Sequence, residues 1–292
     1  MNILVTGANG QLGMELRERC KSSSHRFIFT DVSEVPGLDT VYLDITNREA
    51  VRIIARSENV GAIVNCAGYT DVERAEDDAA FADLLNHTAV ENLAAVAEEQ
   101  GATLIHISTD FIFPGTDSKP IPETAEPAPL SVYGATKLAG ERSALNFSKR
   151  TIIIRTAWLY SPYGRNFVKT MLNLMASNRS LKVVADQVGT PTYAGDLADF
   201  ILHIINTDSL GKTGIYNFTD EGVASWYDFA YAVKTLAGRK CVVEPCFTED
   251  YPAKAARPHY SVLDKSLAKK TFGVGIPHWT ESLAACVRIL LK

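Results

Sequence analysis

The 292-residue sequence lacks any long apolar run. No stretch approaches the ~18 consecutive apolar residues that a membrane-spanning helix requires. Its first residues, MNILVTGANG, contain neither the basic nor the apolar segment of a signal peptide and enter a strand pattern at once. These two absences argue against a membrane protein and predict a cytoplasmic one.

Cysteines are few, and their spacing is uninformative. There are five, an odd number, and none forms a C-x-x-C pair: Cys20, Cys66, Cys241, Cys246 and Cys286. A disulfide framework or a structural zinc site would require a different pattern. We therefore expect reduced thiols with a structural role.

The sequence also lacks a basic run. Lys and Arg number 29 against 34 Asp and Glu, which gives a net charge of -5. A protein that follows a phosphate backbone would carry clustered positive charge, so nucleic acid is not an expected partner. The hydrophobic fraction of 46% is ordinary for a globular chain of one or two domains.

Short β-branched runs alternate with helical patterns in the first half of the chain. NILVTG, RFIFTD, AIVNCAG, TLIHIST and TIIIRTAW read as strands, and LNHTAVENLAAVAEEQG as a helix. Continuous apolar strands separated by helices indicate a parallel sheet covered on both faces. The sequence thus predicts an α/β fold, a Rossmann-like doubly wound sheet with a smaller, interleaved C-terminal lobe.

The predicted lobes divide the chain into four segments. Residues 1–160 and 192–220 are expected to form a dinucleotide-binding domain, because GDLADFILHII and GIYNFTD resemble one more helix and strand of the sheet. Residues 161–191 and 221–292 are expected to form the substrate-binding lobe. Residues 113–131, rich in proline and polar side chains, predict a long loop.

Three glycines follow the first strand in TGANGQLG. Gly7, Gly10 and Gly13 stand where a strand turns into a helix, the context in which glycines let backbone N–H groups approach a pyrophosphate. The second strand ends at Asp31, which is placed to accept hydrogen bonds from the ribose of an NAD-type cofactor and to repel a 2′-phosphate. This position favours NADH over NADPH, although Asp31 could instead be a turn residue.

Two further positions are weaker candidates for the adenine side. Asp44 and Ile45 could line the adenine, whereas Asp44 could also simply precede a helix capped by Thr46 or Asn47. Both interpretations stay open in the sequence.

A tyrosine and a lysine stand four residues apart in SVYGATKLAGE. Tyr133 and Lys137 lie on one face if this segment is a helix. A neighbouring cation favours the phenolate, so such a pair can deliver a proton to a reacting oxygen. Chance pairs of this spacing are common, and the pair alone decides nothing.

The assembled motifs resemble the extended short-chain dehydrogenases/reductases: TGANGQLG, NCAGYTDVERAE, ISTDFIF and VYGATKLAGE. Within that superfamily the sequence is most similar to the dTDP-4-dehydrorhamnose reductase family, because RTAWLYSPYGRNFVKTML, DQVGTPTYAGDLAD and ARPHYSVLDKSL also match. The resemblance covers nearly the whole chain. It implies an NADH- or NADPH-dependent reductase that acts on the nucleotide sugar dTDP-4-dehydro-6-deoxy-L-mannose and forms dTDP-L-rhamnose.

The resemblance also implies residue roles. Tyr133 would donate the proton, Lys137 would hold the nicotinamide ribose and lower the pKa of Tyr133, and Thr109 would hydrogen-bond the sugar carbonyl oxygen. The remaining cofactor contacts would come from Gly10, Gln11 and Leu12 at the pyrophosphate and from Ala67, Gly68 and Tyr69 at the nicotinamide.

On the substrate side, the resemblance implies that Trp158 stacks against the deoxysugar and that Asp110 borders it. Trp158 could also be a core residue, and Asp110 could cap a turn. Asn166, Lys169 and Arg257 are candidates for the nucleoside and diphosphate. His106 has no catalytic role in this interpretation.

Three alternatives remain. A 4,6-dehydratase would carry an acid where this sequence has Phe111, so that class is disfavoured. An epimerase of the same superfamily and a non-catalytic subunit, like the regulatory subunit of methionine adenosyltransferase, stay open.

Asp196 and Glu15 stand where some relatives have acids thought to bind Mg²⁺ at a dimer contact, but further ligands are not evident. The sequence therefore assigns no metal site and leaves Mg²⁺ and a homodimer open.

Overall fold

Buried β-branched segments form the centre of a parallel sheet in the computed structural model, which describes residues 1–116 and 118–292. The strands within these ranges are β1 Asn2–Thr6, β2 Arg26–Asp31, β3 Val41–Tyr42, β4 Val60–Asn65, β5 Thr103–Thr109, β6 Thr151–Thr156, β7 Leu159–Tyr160, β8 Ser180–Val184, β9 Val188–Gly189, β10 Thr192–Tyr193, β11 Gly214–Asn217, β12 Ala224–Ser225 and β13 Val242–Cys246. The five strands predicted from β-branched runs are β1, β2, β4, β5 and β6.

Helices separate most of these strands, as the alternation in sequence predicts. They are α1 Gln11–Arg19, α2 Arg48–Ser57, α3 Val72–Ala75, α4 Ala79–Asp83, α5 Ala89–Gln100, α6 Val132–Phe147, α7 Phe167–Ser177, α8 Ala194–Asn206, α9 Trp226–Leu236, α10 Ser266–Phe272 and α11 Trp279–Leu290. A π-helical turn, Leu84–Thr88, joins α4 to α5. None of the helices in the two described ranges is long and apolar enough to cross a membrane.

Seven strands form the main sheet in the order β11-β6-β5-β4-β1-β2-β3, and all neighbours are parallel. On one face, α1 and α8 pack on β1, β5 and β6, for example through Leu12, Leu197 and Ile152. On the other face, α2 and α5 pack on β1, β4 and β5. This arrangement confirms the predicted doubly wound α/β fold.

A third hydrophobic cluster lies outside the main sheet. It joins α7, α9 and α11 to β7, β8, β10 and β13, with Tyr160 and Phe229 fully buried at its centre. Its members come from chain segments on both sides of α8 and β11, which belong to the main sheet. This part of the molecule is interleaved with the sheet in the chain, while the domain boundaries themselves stay a prediction.

The predicted loop at 113–131 precedes α6. Its described part carries an isolated bridge between Ile121 and Leu263, and both residues are buried. Position 117 of this loop lies outside the described residues. All five cysteines are free thiols, as their spacing predicts.

Candidate active site

Gly7 begins a tight turn at the carboxyl end of β1. Its φ is +64°, a left-handed conformation that glycine adopts without steric cost. A Cβ atom here would lie 2.5 Å from the backbone nitrogen of Ala67, which follows β4. The strand ends are therefore packed backbone against backbone, and this leaves a cradle that only a residue without a side chain can form.

The helix after this turn has no side-chain cap at its N-terminus. Gly10 is the N-cap residue and forms no side-chain hydrogen bond, Gln11 is the first helical residue, and Leu12 and Gly13 are buried against the sheet. Backbone N–H groups at such an end are unpaired within the helix and attract anions. The turn and the helix end are thus suited to a cofactor pyrophosphate.

Asp31 lies at the end of β2, next to the same turn. Its carboxylate accepts hydrogen bonds from the Asn9 backbone N–H (3.0 Å), from the Ser33 backbone N–H (2.9 Å) and from the Ser33 hydroxyl (2.7 Å). Asp31 therefore shapes the turns around it. Its predicted contact with a cofactor ribose stays a prediction.

Asp44 and Ile45 lie beyond β3. Asp44 accepts hydrogen bonds from the backbone N–H and the hydroxyl of Thr46, at 2.9 and 2.7 Å, and Ile45 is buried. Asn47 caps α2 by accepting from the Ala50 N–H. Of the two interpretations of Asp44, these contacts favour a residue that shapes the start of the helix.

The tyrosine and the lysine lie on the first turns of α6, as their spacing predicts. Ser131 caps this helix, and Tyr133 lies beside Thr109 at the end of β5, close enough for the Thr109 side chain to act on the pKa of the phenol. Lys137 is buried, and its Nζ donates to the carbonyl oxygen of Ile107 at 2.5 Å. One helix and one strand end thus bring together the three predicted catalytic residues.

Burial sets the pKa values of the tyrosine and the lysine. Burial of its hydroxyl raises the pKa of Tyr133 to about 12, with a smaller contribution from the charge of Asp110. Burial also lowers the pKa of Lys137 to about 8. Desolvation therefore dominates the net shift at Tyr133, where the Phe111 ring packs edge-on against the phenol at 5.5 Å. The expectation that Lys137 acts to lower the pKa of Tyr133 stays a prediction.

A buried ion pair supports Lys137 from one turn further along α6. Arg155 of β6 donates to the Glu141 carboxylate through Nε and Nη2, at distances down to 2.7 Å, and both side chains are almost fully buried. A further Arg155 nitrogen donates to the carbonyl of Glu123. Burial lowers the pKa of Lys137, and the negative charge of Glu141 partly offsets this lowering.

Polar side chains also fill the sheet beneath the cradle. Thr6 donates to Asn65 at 2.7 Å, and the Asn65 amide nitrogen lies 3.0 Å from Nδ1 of His106. Burial holds the pKa of His106 well below its usual range, and the nearby charge of Lys137 acts in the same direction. His106 is therefore neutral near pH 7 and contributes packing and hydrogen bonding.

Aromatic side chains gather where the substrate is expected to bind. Trp158, between β6 and β7, stacks on Trp226 with ring centroids 3.6 Å apart and planes 9° from parallel. Trp226 and Phe167 line a cavity of about 390 Å³ that also includes Arg257. Asp110 is buried beside Thr109, and burial raises its pKa to about 6.

Arg257 is paired with Glu73 across the site. Its Nη2 lies 2.5 Å from Glu73 Oε1, and Glu73 also accepts the Lys254 backbone N–H at 2.8 Å. The residues before Arg257 therefore close onto α3, which follows Tyr69 in the chain. The ion pair thus links the segment that contains Arg257 to α3.

Asn166 and Lys169 make other contacts. Asn166 caps α7, and its amide nitrogen donates to Gln11 Oε1 at 3.0 Å and to the Ser161 carbonyl at 2.8 Å. Lys169 Nζ donates to the Pro162 carbonyl. Their predicted contacts with a substrate stay predictions, since both side chains already have protein partners.

Comparison with known proteins identifies the family. The family model described as the RmlD substrate binding domain matches residues 1–291. Over 290 residues the chain is 40% identical to a dTDP-4-dehydrorhamnose reductase of Aggregatibacter actinomycetemcomitans, with 96% of each sequence covered. The chain belongs to the dTDP-4-dehydrorhamnose reductase family.

Two crystal structures from this family have the same fold. One, a dTDP-4-dehydrorhamnose reductase of Clostridium acetobutylicum, is 42% identical and superimposes with a TM-score of 0.93 over 100% of both chains. The other, from Bacillus anthracis and solved in complex with NADP, is 35% identical, with a TM-score of 0.91 over 99% of both chains. The predicted family is confirmed.

Asn86 is a residue that the sequence analysis missed. It lies in the π-helical turn, is fully buried, accepts the Tyr69 N–H at 2.8 Å and donates to the Thr136 hydroxyl at 3.1 Å. It thereby joins the predicted nicotinamide segment to α6. Such turns occur often at functional sites, but no motif in this sequence indicates one.

The acids weighed as Mg²⁺ ligands have protein partners. Glu15 is buried and pairs with Arg19 at 3.2 Å, and Asp196 accepts a 2.5 Å hydrogen bond from Ser282. Among the described residues, no group of three or more His, Cys, Asp or Glu side chains could hold a metal ion. A role for Mg²⁺ therefore has no support beyond the resemblance.

Proposed function

We propose that the protein is a reductase that converts the 4-keto group of dTDP-4-dehydro-6-deoxy-L-mannose to the hydroxyl of dTDP-L-rhamnose, with NADH or NADPH as the cofactor. The observation that carries this proposal is the convergence of Tyr133 and Lys137 of α6 on the end of β5, where Tyr133 interacts with Thr109 and Lys137 Nζ donates to the carbonyl oxygen of Ile107. Membership of the family supports the identity of the substrate.

When bound, the reduced nicotinamide supplies the hydride. Charge that develops on the sugar oxygen would be met by the hydroxyls of Thr109 and Tyr133, and the phenol proton of Tyr133 passes to that oxygen. With a pKa of about 12, Tyr133 is fully protonated near pH 7 and ready to donate. Lys137 is mostly protonated there, because its pKa is about 8, and its charge stabilises the phenolate that remains.

The cradle at Gly7 and the uncapped start of α1 fit a dinucleotide cofactor, since they offer close backbone approach and unpaired N–H groups. Gly10, Gln11 and Leu12 would hold its pyrophosphate, Asp31 its adenine ribose, and Ala67, Gly68 and Tyr69 would flank the nicotinamide. Asp31 supports binding of NADH at least as well as NADPH. A relative of this family was solved with NADP, so the two cofactors are to be compared directly.

The aromatic cavity and Arg257 fit the other half of the reaction. Trp158 would stack on the deoxysugar, Asp110 would border it, and Arg257 would bind the diphosphate with two donors. Asn166, at the start of α7, would contact the nucleoside or the diphosphate. A 4,6-dehydratase is disfavoured because Phe111, which packs on Tyr133, cannot act as its second acid or base.

The test is the stoichiometry of cofactor oxidised to sugar nucleotide reduced, with the product identified by NMR. A reductase consumes one cofactor per dTDP-L-rhamnose formed. Tyr133→Phe should keep the fold and cofactor affinity but lose a factor of ~10² or more in turnover, because it removes only the proton donor.

Two results would contradict the proposal. An epimerase would convert the substrate without net oxidation of added cofactor. A non-catalytic subunit would bind the cofactor and form no product as wild type. Undiminished turnover in Tyr133→Phe would remove this residue from the mechanism.

A cytoplasmic location and a homodimer also belong to this proposal. Light scattering of the purified protein, with and without Mg²⁺, tests the oligomer. A monomer in both conditions would exclude a dimer and any role for Mg²⁺ in forming it.

A further inference from the structure

Trp158 has an unusual backbone for its residue type. Its φ is +48°, and the two other non-glycine residues with positive φ in the described ranges are Asn59 and Asp208. Asn and Asp adopt this conformation readily, whereas a bulky side chain does so at a cost. Contacts around Trp158 must therefore hold it there.

The strongest contact is the stack on Trp226. The planes are nearly parallel and the centroids are only 3.6 Å apart. Trp226 is the first residue of α9, directly after Ser225, and Ser225 and Asp228 form a reciprocal capping box. The cap fixes where the helix begins, and so it fixes the position from which the Trp226 side chain projects.

Gly189 confines Trp158 from another direction. A Cβ atom on Gly189 would lie 2.7 Å from Cε2 of the Trp158 indole and 2.8 Å from the Ser261 hydroxyl oxygen. Gly189 pairs with Ala224 across β9 and β12, two residues before Trp226. One short strand pair therefore sets both contacts of the Trp158 indole.

Trp226 also forms a wall of the 390 Å³ cavity. Phe167 packs beside it at 4.7 Å, and Arg257 and Lys182 supply positive charge to the same cavity. Both indoles of the stack are only partly buried, unlike the buried indole of Trp279 in the same lobe. Trp226 thus faces the cavity, and neither indole of the stack is fully enclosed by protein.

We propose that Trp226 is a positioning residue for substrate binding, which acts by holding Trp158 in its left-handed conformation. The proposal rests on the proposed function, in which Trp158 contacts the sugar. In this proposal Trp158 stacks on the sugar, and Trp226 borders the cavity that is suited to the nucleoside diphosphate. The two halves of one substrate are recognised through one stacked pair.

The test compares Trp226→Ala and Trp226→Phe with Trp279→Phe as the control. Trp226→Ala should raise KM for the sugar nucleotide by ~10-fold or more while KM for the cofactor changes by less than ~2-fold. Trp226→Phe keeps a ring that can stack, so it should recover most of the affinity. Trp279→Phe alters the core beside Phe229 and should leave both KM values unchanged.

A spectroscopic signature accompanies these values. Two indoles stacked this closely couple in circular dichroism, and this signal should disappear in both Trp226 variants and persist in Trp279→Phe. Gly189→Ala should raise the sugar-nucleotide KM in the same way by displacing the indole, whereas Gly211→Ala, which has nothing within 4 Å of its Cβ position, should not.

Loss of the coupled signal with an unchanged sugar-nucleotide KM would overturn the proposal, as would equal changes in both KM values. Failure of the proposed function would look different: the wild type would show the coupled signal and bind cofactor but turn over no dTDP sugar. Calorimetry with dTDP-L-rhamnose, which carries the sugar that Trp158 would contact, then replaces KM, and equal affinity of wild type and Trp226→Ala for this ligand would overturn the proposal.

Discussion

The cofactor side and the substrate side of the candidate site are built from different material. On the cofactor side, backbone meets backbone, as where Gly7 packs on Ala67. On the substrate side, side chains meet side chains, as in the Trp158 stack and the ion pair of Arg257 with Glu73. Backbone contacts tolerate no added atom, whereas side-chain contacts can be weakened by degrees.

The largest effect is therefore expected at Gly7. Gly7→Ala adds a Cβ 2.5 Å from the Ala67 nitrogen at a residue with positive φ. We expect cofactor affinity to fall by ~10²-fold and stability by about 2 to 4 kcal/mol. Calorimetric titration with NADH and chemical denaturation measure the two quantities.

Gly37→Ala is the matched control. Gly37 also has a positive φ, +83°, but nothing lies within 4 Å of its Cβ position. It should lose only the conformational preference, about 1 kcal/mol, and keep its cofactor affinity. Equal losses in the two variants would show that close approach at Gly7 is not what matters.

Substitution of Arg257 tests whether the loss of one side-chain contact weakens substrate binding only partly. Arg257→Ala should weaken dTDP binding by ~10-fold or more and leave NADH binding unchanged, because a guanidinium that can grip a diphosphate is removed. Lys254→Ala, which breaks the exposed pair with Asp77, is the control and should change dTDP affinity little.

Glu73→Gln refines the same comparison. Glu73 holds the guanidinium that a diphosphate would use, so its removal should strengthen dTDP binding, by at most ~5-fold for a partly exposed pair. Weaker dTDP binding in this variant would mean that Glu73 orients Arg257 instead of competing for it.

A change in cofactor preference is expected at Asp31. If its carboxylate contacts the cofactor ribose as predicted, it would repel a 2′-phosphate, so NADH should bind at least as well as NADPH. Asp31→Ala should shift the ratio of the two dissociation constants toward NADPH by about 10-fold. A strong preference of the wild type for NADPH would refute the assignment.

The smallest effect is a pH dependence at Asp110. Its pKa is raised from the ordinary value of 3.8 to about 6, so the folded state binds this proton more tightly than the unfolded state. Stability from this group is therefore present below pH 4 and is lost as the pH rises through 6. Relative to wild type, Asp110→Asn should gain a few degrees in Tm between pH 4 and 7.

The hydrogen bond from Thr109 to Asp110 can persist in this variant, since an amide oxygen also accepts. Asp39→Asn, at an exposed position, is the control for lost charge. A constant difference in Tm across the pH range would mean that Asp110 does not titrate in this window.

The same contrast explains what the sequence could predict. Strand positions follow from β-branched runs, and Gly7 follows from the local geometry of a strand-to-helix turn, so nearby residues suffice. Trp226 meets Trp158, and Glu73 meets Arg257, only because the fold brings distant segments together. The raised pKa of Tyr133 was missed because it depends on desolvation, which no spacing in sequence reports.

Asn86 was missed for a related reason. Its role depends on the π-helical turn that buries it. In the sequence alone, this asparagine looks like any exposed polar residue. Trp158 was singled out by its place after β6, but its left-handed backbone depends on tertiary contacts. Residues that act through the backbone were therefore easier to predict than residues that act through their neighbours.

The position of β11 has a consequence for biosynthesis. It pairs with β6 through Gly214 to Asn217, whereas β6 ends at Thr156. On the ribosome, the open edge of β6, with Ile152, Ile153 and Ile154, has no partner until the nascent chain has grown past β11. A nascent chain stalled between these two strands would expose an apolar strand edge, so translation pauses in that interval should favour aggregation and engage chaperones.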